Sequence, residues 1–352
     1  MKDILKTSEY DFLRTNEHLG DNICLLGLGG SHAYGTNIES SDIDIRGIAL
    51  NSKREILTGR GFEQVEDSKT DTVVYSFNKI VSLLTNTNPN TIEILGLKPE
   101  HYLYISPIGQ EILDNKKLFL SKACINSFGG YANQQLMKLK NNIARYTMSQ
   151  SEKENHILRS ILNSMYSIHR KYHKMPEGGL TIYIDDAVQE DMESEIFIDV
   201  NLKHYPLRDY KSIWSELNNI VKDYSKIGKR NKKKDDVHLA KHMMHLLRLY
   251  MMCIDILEKE EIITYREKEH DLLMSVRRGA YLSEGKVLDD FWDILNEYEK
   301  KFEYAKKNTS LPDKPRYDEI EEFKASVNER IVRGETDKKI VYYEKGFAYV
   351  SR

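Results

Sequence analysis

Cysteine is scarce in this chain. There are three, Cys24, Cys124 and Cys253, odd in number and far apart, which excludes a disulfide framework and a clustered zinc site and points to a reducing, cytoplasmic compartment. Long apolar runs are missing too. No stretch approaches the ~20 apolar residues of a membrane span, and the opening MKDILKTSEYDFLRTNEHLG has no signal-peptide core, so the expectation is a soluble protein with no membrane partner. Charge of one sign is not in excess: 52 basic residues against 55 acidic ones give a net charge of −3. Any nucleic acid must therefore meet a local basic patch rather than the whole surface. Repeats, low-complexity blocks and disordered linkers are absent as well. The 352 residues suffice for a sizeable core, and two domains are expected.

What the chain does have is concentrated in Leu25 to Leu50, LLGLGGSHAYGTNIESSDIDIRGIAL. Leu25 to Leu28 read as a buried strand that stops at Gly29-Gly30-Ser31, where glycine lets backbone N–H groups approach an anion closely. Ser31 adds a hydroxyl donor, and the residues after it are placed to open a short helix whose dipole also favours a phosphate. Ser41-Asp42-Ile43-Asp44-Ile45 alternates with period two, which predicts a strand carrying Asp42 and Asp44 on one face. Carboxylates about 6–7 Å apart on one strand face repel, and a divalent cation between them resolves the repulsion. Mg²⁺, or Mn²⁺ in its place, is the expected cofactor, because such ions take one or two carboxylates plus substrate phosphates. Singly, a GGS is usually a turn and a D-x-D a solvated edge. Joined at this spacing, a phosphate cradle beside a metal-holding pair is a layout for nucleotidyl transfer from a nucleoside triphosphate.

The string resembles the signature of the DNA polymerase beta-type nucleotidyltransferase superfamily. More narrowly, Ser31, Tyr34-Gly35, Ser41-Asp42-x-Asp44 and Arg46-Gly47 are similar to a group of nucleotidyltransferases of bacteria and large phages, some encoded beside RNA ligases. The doubled glycine replaces that group's usual single Gly-Ser. The resemblance implies Gly29, Gly30, Ser31, Tyr34 and Arg46 at the nucleotide and Asp42 and Asp44 on the metal. It implies transfer of a nucleoside monophosphate to an acceptor hydroxyl with release of pyrophosphate, the acceptor being an RNA or tRNA end under repair. A small-molecule or protein hydroxyl as acceptor, and a non-catalytic nucleotide- or RNA-binding module, are the other readings.

The flanking sequence reads as a small mixed sheet with helices against it. Asp3 to His18 is expected to be an amphipathic helix on the sheet, Ile56 to Gly61 a turn-rich connection, and Phe62 to Tyr75 a hairpin about Asp67-Ser68-Lys69. Ser76 can cap a helix through Leu84 whose apolar face is Phe77, Ile80, Val81 and Leu84, and TNTNPN stops it. Thr91 to Leu95 then reads as another short strand. Polymerase-beta-type sites usually add a third acid from a neighbouring strand, as metal ligand or as base. Glu93, isolated in an apolar strand where an unpartnered acid is expensive to bury, competes for that role with Asp71, which precedes Val73 and Tyr75 in alternation and matches the group's D-T-x-x-Y-S pattern. The bland alternatives are a hairpin-turn Asp71 and an edge Glu93.

From Ser106 onward amphipathic helices dominate. The expected fold is α+β: a nucleotidyltransferase domain over residues 1–106, a mainly helical domain over 107–335 that closes on nucleotide and acceptor, and a hairpin over 336–352. Gly130-Tyr131 begins a segment similar to the group's G-Y-A-x-x-Q-x-x-K pattern, with Leu136, Leu139 and Ile143 inward and Gln135, Lys138 and Lys140 exposed. Lys138 is either part of a solvated face or a triphosphate contact. Two short strands flank an acidic run from Asp185 to Glu195, read as a solvated loop. The basic run KRNKKK, Lys229 to Lys234, is a linker or an RNA-contacting patch, with no aromatic interleaving to decide. In the helix Val237 to Leu257, Lys241, His245 and Arg248 fall on one face and match the group's K-x-x-x-H-x-x-R, which suits a triphosphate or an RNA phosphate. His238 and His242 lack the zincin glutamate, so zinc is not expected. Arg277, in a further echo of the group, is a phosphate candidate.

Overall fold

Five strands build the sheet that carries the site: β1 (Ile23–Leu28), β2 (Ile45–Ala49), β3 (Gln64–Asp67), β4 (Thr72–Ser76) and β5 (Tyr102–Ile105), in the spatial order β3-β4-β2-β1-β5. The structure, a computed structural model, describes residues 2–147, 178–186, 194–230, 236–283, 286–336, 340–343 and 346–349, with isolated positions between 159 and 188. It forms two compact units, Met1–Met137 with Ala240–Ser283 and Val287–Arg352, and Lys138–Leu239 with Glu284–Lys286. With a mixed sheet followed mainly by helices, the fold is α+β.

The topology gathers the signature residues. β1 runs antiparallel to β2, and β2 parallel to β4; Leu28 pairs with Ile45, and Ile45 with Thr72. The end of β1 and the starts of β2 and β4 therefore lie at one end of the sheet. Gly29 to Ser31, Asp44 and Asp71 each flank one of those strand ends. β1 is buried along its whole length, and Leu26, Leu28, Ile45 and Val74 share a core with Tyr10 and Leu13 from the N-terminal segment.

Several expected elements form as read. The hairpin Gln64–Ser76 is antiparallel. Ser76 Oγ caps the helix Phe77–Thr85 by accepting from the Lys79 N–H, and Phe77, Ile80, Val81 and Leu84 are its buried face. The helices Asp236–Lys259, Asp289–Asn308 and Tyr317–Arg333 are present, as is the C-terminal pairing of Ile340–Tyr343 with Gly346–Tyr349. In the second unit Leu180–Asp186 pairs antiparallel with Ser194–Val200, ahead of the helix Leu207–Arg230. Cys24, Cys124 and Cys253 are buried free thiols, and no helix among the described residues is long and apolar enough to cross a membrane.

Four local readings are corrected. Asp42 and Asp44 do not lie on a strand: β2 starts at Ile45, because β1 ends at Leu28 and Gly29 can offer only its own N–H to Asp44 O, at 2.8 Å, before the chain turns away. Thr91 to Leu95 is helical, a turn Pro89–Ile92 followed by a 3-10 turn Glu93–Gly96, begun by Asn88 as cap and Pro89 in the first helical position. Lys53–Thr58 is a helix rather than a connection, opened by a capping box between Ser52 and Glu55. The N-terminal segment is two 3-10 turns and the single turn Phe12–Thr15. Of the basic run, Lys229 and Arg230 end the helix Leu207–Arg230; residues 231–234, like 190–193 of the acidic run, lie outside the described residues.

Candidate active site

The site starts at a turn that only glycine can make. Gly30 takes φ +52 to open the short helix Gly30–Tyr34, and a Cβ placed on it would stand 1.9 Å from Asp44 Oδ2. Backbone conformation and close approach thus both require glycine there. Ser31 follows, half-buried at the mouth.

Asp71 comes to the same place from the hairpin tip. It sits at φ +43, a conformation aspartate tolerates better than most residues, and its carbonyl accepts from the Ile45 N–H at 3.3 Å and from Arg46 Nη1 at 2.6 Å. Its carboxyl lies beside that of Asp44, the two sharing Arg46. Arg46 Nη2 lies 3.4 Å from Asp44 Oδ1 and 3.3 Å from Asp71 Oδ1. Burial, and then the neighbouring Asp71, push the Asp44 carboxyl up to about 6, against the opposing charge of Arg46. Carboxyls in such contact are stable with a proton or a cation between them.

These groups open onto a cavity of about 390 Å³, a size suited to a small ligand. Gly30, Ser31, Ser41, Asp42, Asp44 and Asp71 line one part of it, and Tyr131, Gln135, Lys241, His242, His245, Arg248 and Arg277 another. All belong to the first unit. Arg248 Nη2 is 2.9 Å from His245 Nδ1, and its guanidinium lies 3.5 Å from the centroid of the Tyr34 ring. The Tyr131 ring meets His245 edge-on at 5.5 Å. His242 Nδ1 lies 3.2 Å from Gln135 Oε1. Arg277 is buried, and desolvation lowers its pKa from the usual guanidinium value. One cavity thus offers oxygen ligands on one side and cations on the other.

The sequence candidates divide accordingly. Asp42, exposed, and Asp44, Asp71, Gly30, Ser31, Lys241, His245, Arg248 and Arg277 line the cavity. Glu93, Arg46, Tyr34, Gly29 and Lys138 do not. Glu93 is buried, accepts from the Tyr34 hydroxyl at 2.7 Å, and has its pKa raised by burial in spite of the Arg248 charge. Arg46 is engaged with Asp44 and Asp71, and Lys138 is exposed on the helix Ala123–Thr147. Gln135, expected on the exposed face, is buried, with 4% of its surface exposed. His242, considered in the sequence only with His238 as a zinc ligand, lines the cavity; its signal is its place one residue after Lys241 and three before His245. Among the described residues no group of three or more acidic, histidine or cysteine side chains is arranged to hold a metal.

No curated protein and no solved structure matches the chain. Residues 5–177 match the family model RlaP, described as the RNA repair pathway DNA polymerase beta family, a match that supports the polymerase beta-type nucleotidyltransferase group associated with RNA repair.

Proposed function

We propose that the chain transfers a nucleoside monophosphate from a nucleoside triphosphate to the hydroxyl of an RNA end, with tRNA included, and releases pyrophosphate. One observation carries this reading: the glycine turn and Ser31, the Asp44–Asp71 pair and the basic side chains Lys241, Arg248 and Arg277 share one cavity. The turn N–H groups and Ser31 Oγ would hold the β- and γ-phosphates, and the basic side chains would neutralise the remaining charge. The acceptor oxygen then attacks the α-phosphorus while the bond to the bridging oxygen of pyrophosphate breaks. The acceptor proton passes to a carboxylate of the cavity, Asp71 being the candidate.

The donors fit a hard cation. Asp42, Asp44 and Asp71 offer oxygen alone, and Mg²⁺ or Mn²⁺ commonly completes its shell with substrate phosphates and water rather than with a full set of side chains. Bound to this pair, such an ion supplies charge neutralisation at the phosphates. Asp71 is better supported than Glu93 as the third carboxylate, since it lines the cavity and shares Arg46 with Asp44 whereas Glu93 is enclosed with Tyr34. The test is incubation with each of the four α-labelled triphosphates, Mg²⁺, and RNA, unrelated protein or a small-molecule extract in separate reactions. Label is expected in RNA and lost in Asp44→Asn. Label in protein or a small molecule would replace the acceptor, and no label anywhere would make the chain a binding module.

A further inference from the structure

The helix Leu207–Arg230 of the second unit shows an amphipathic arrangement with one side too many. Ile213 and Leu217 are buried, as an amphipathic helix requires, but Leu207, Tyr210 and Trp214 are 80%, 38% and 60% exposed. Residues 207, 210, 211, 214 and 218 follow the spacing of a single helical face, so these three apolar side chains form an outward stripe with Lys211 and Asn218 among them. The acids of this part of the helix lie elsewhere and are already engaged. Glu216 receives Lys171 Nζ at 2.5 Å and the Tyr172 hydroxyl at 2.9 Å, and Asp209 pairs with Arg208. Over residues 207–218 the outward face therefore carries aromatic rings, basic charge and neutral polar groups, with no carboxylate.

We propose that this face binds single-stranded RNA, with Trp214 and Tyr210 stacking on bases and Lys211 pairing with a phosphate. Exposed rings are sequence-tolerant platforms for unpaired bases, and a neighbouring cation tracks the backbone. Tyr210 and Trp214 are about 6 Å apart along the helix axis, about two stacked bases. A protein partner is the poorer fit, because lysine is depleted at the centres of protein interfaces, whereas charge complementarity to a polyanion is direct. The inference rests on RNA being the substrate in the reading above, but its test does not pass through catalysis.

The experiment is an anisotropy titration of the full chain with a fluorescent uridine dodecamer, read in parallel through tryptophan emission. The chain has two tryptophans, Trp214 and Trp292, so a Trp292→Phe background isolates Trp214. Saturable quenching is expected, with roughly tenfold or greater weakening in Trp214→Ala, recovery in Trp214→Phe, and a salt slope smaller by about 0.7 in Lys211→Ala. Circular dichroism checks that the variants fold. Unchanged affinity in both Trp214→Ala and Tyr210→Ala, absence of quenching, or equal binding of a blunt duplex overturns the proposal. So does a change from dimer to monomer in Trp214→Ala by light scattering, which would make the face a self-association surface. Binding through Trp214 without transfer would remove the catalytic reading alone, and transfer to RNA indifferent to Trp214 would remove this one alone.

Discussion

The Tyr34 hydroxyl donates a 2.7 Å hydrogen bond to Glu93 Oε2, and the Arg248 guanidinium lies over the same ring, 3.5 Å from its centroid. One buried carboxylate is thus linked through the Tyr34 ring to Arg248, a basic side chain of the cavity. Removing only the hydroxyl, in Tyr34→Phe, leaves the ring under Arg248 but deprives Glu93 of a donor. The expected result is a loss of about 1–3 kcal/mol of stability in urea unfolding, with nucleotide affinity changed only a few-fold.

Asp71 and Glu93 should separate by what each variant does to the metal requirement. Asp71→Asn is expected to raise the Mg²⁺ concentration for half-maximal transfer by about tenfold or more, given that even outer partners of metal ligands matter at that scale. Glu93→Gln should leave the metal requirement nearly unchanged and raise KM for the triphosphate through Arg248. Titration of Mg²⁺ at saturating nucleotide, and of nucleotide at saturating Mg²⁺, reads the two effects apart. The reverse pattern would return the third-carboxylate role to Glu93.

How far the sequence reached depends on the kind of signal. The glycine turn, the buried strand before it and the hairpin after β2 were legible because each rests on local chemistry: glycine conformation, apolar runs and turn residues. The strand expected at Thr91 to Leu95 was not, since a short apolar run serves a buried helix as well as a buried strand; the Asn88-Pro89 pair was the discriminating signal. The capping box Ser52-x-x-Glu55 went unread in the same way. Asp71 and Glu93 were both identifiable as unusual acids, but only the parallel pairing of β2 with β4 puts Asp71 beside Asp44. Tyr131, Gln135 and His242 join the site through tertiary packing, which no local period reports.

Gly30→Ala tests the turn itself. The added methyl meets Asp44 Oδ2 at 1.9 Å and the residue must hold φ +52, so the carboxylate or the turn has to shift. A displacement of about 1 Å at a reacting group costs on the order of 100-fold in rate. The expected outcome is a folded protein by circular dichroism with transfer reduced by about that factor.

Outside the lining of the cavity, Arg330 Nη2 reaches both carboxylate oxygens of Glu111, at 2.9 and 2.8 Å, with both side chains buried. The pair joins the helices Tyr317–Arg333 and Pro107–Asp114. Arg330→Ala strands a buried acid and is expected to cost about 3–5 kcal/mol in chemical unfolding, whereas the double variant Arg330→Met with Glu111→Leu should recover much of it.

The Asp44 carboxyl sets the pH dependence. Its folded-state value of about 6 lies above its ordinary 3.8, so the folded protein holds that proton more tightly than the unfolded chain does. The stabilisation this gives is fully present below pH ~4 and is lost as pH rises through about 6. A divalent cation needs the charged carboxylate, so its binding must strengthen over the same interval, releasing the proton as it binds. Mg²⁺ is therefore expected to raise the melting temperature little at pH 5 and fully by pH 7.5, while Asp44→Asn abolishes the pH dependence of that shift. Thermal melts with and without Mg²⁺ at the two pH values check this. A shift of equal size at both would place the cation away from Asp44.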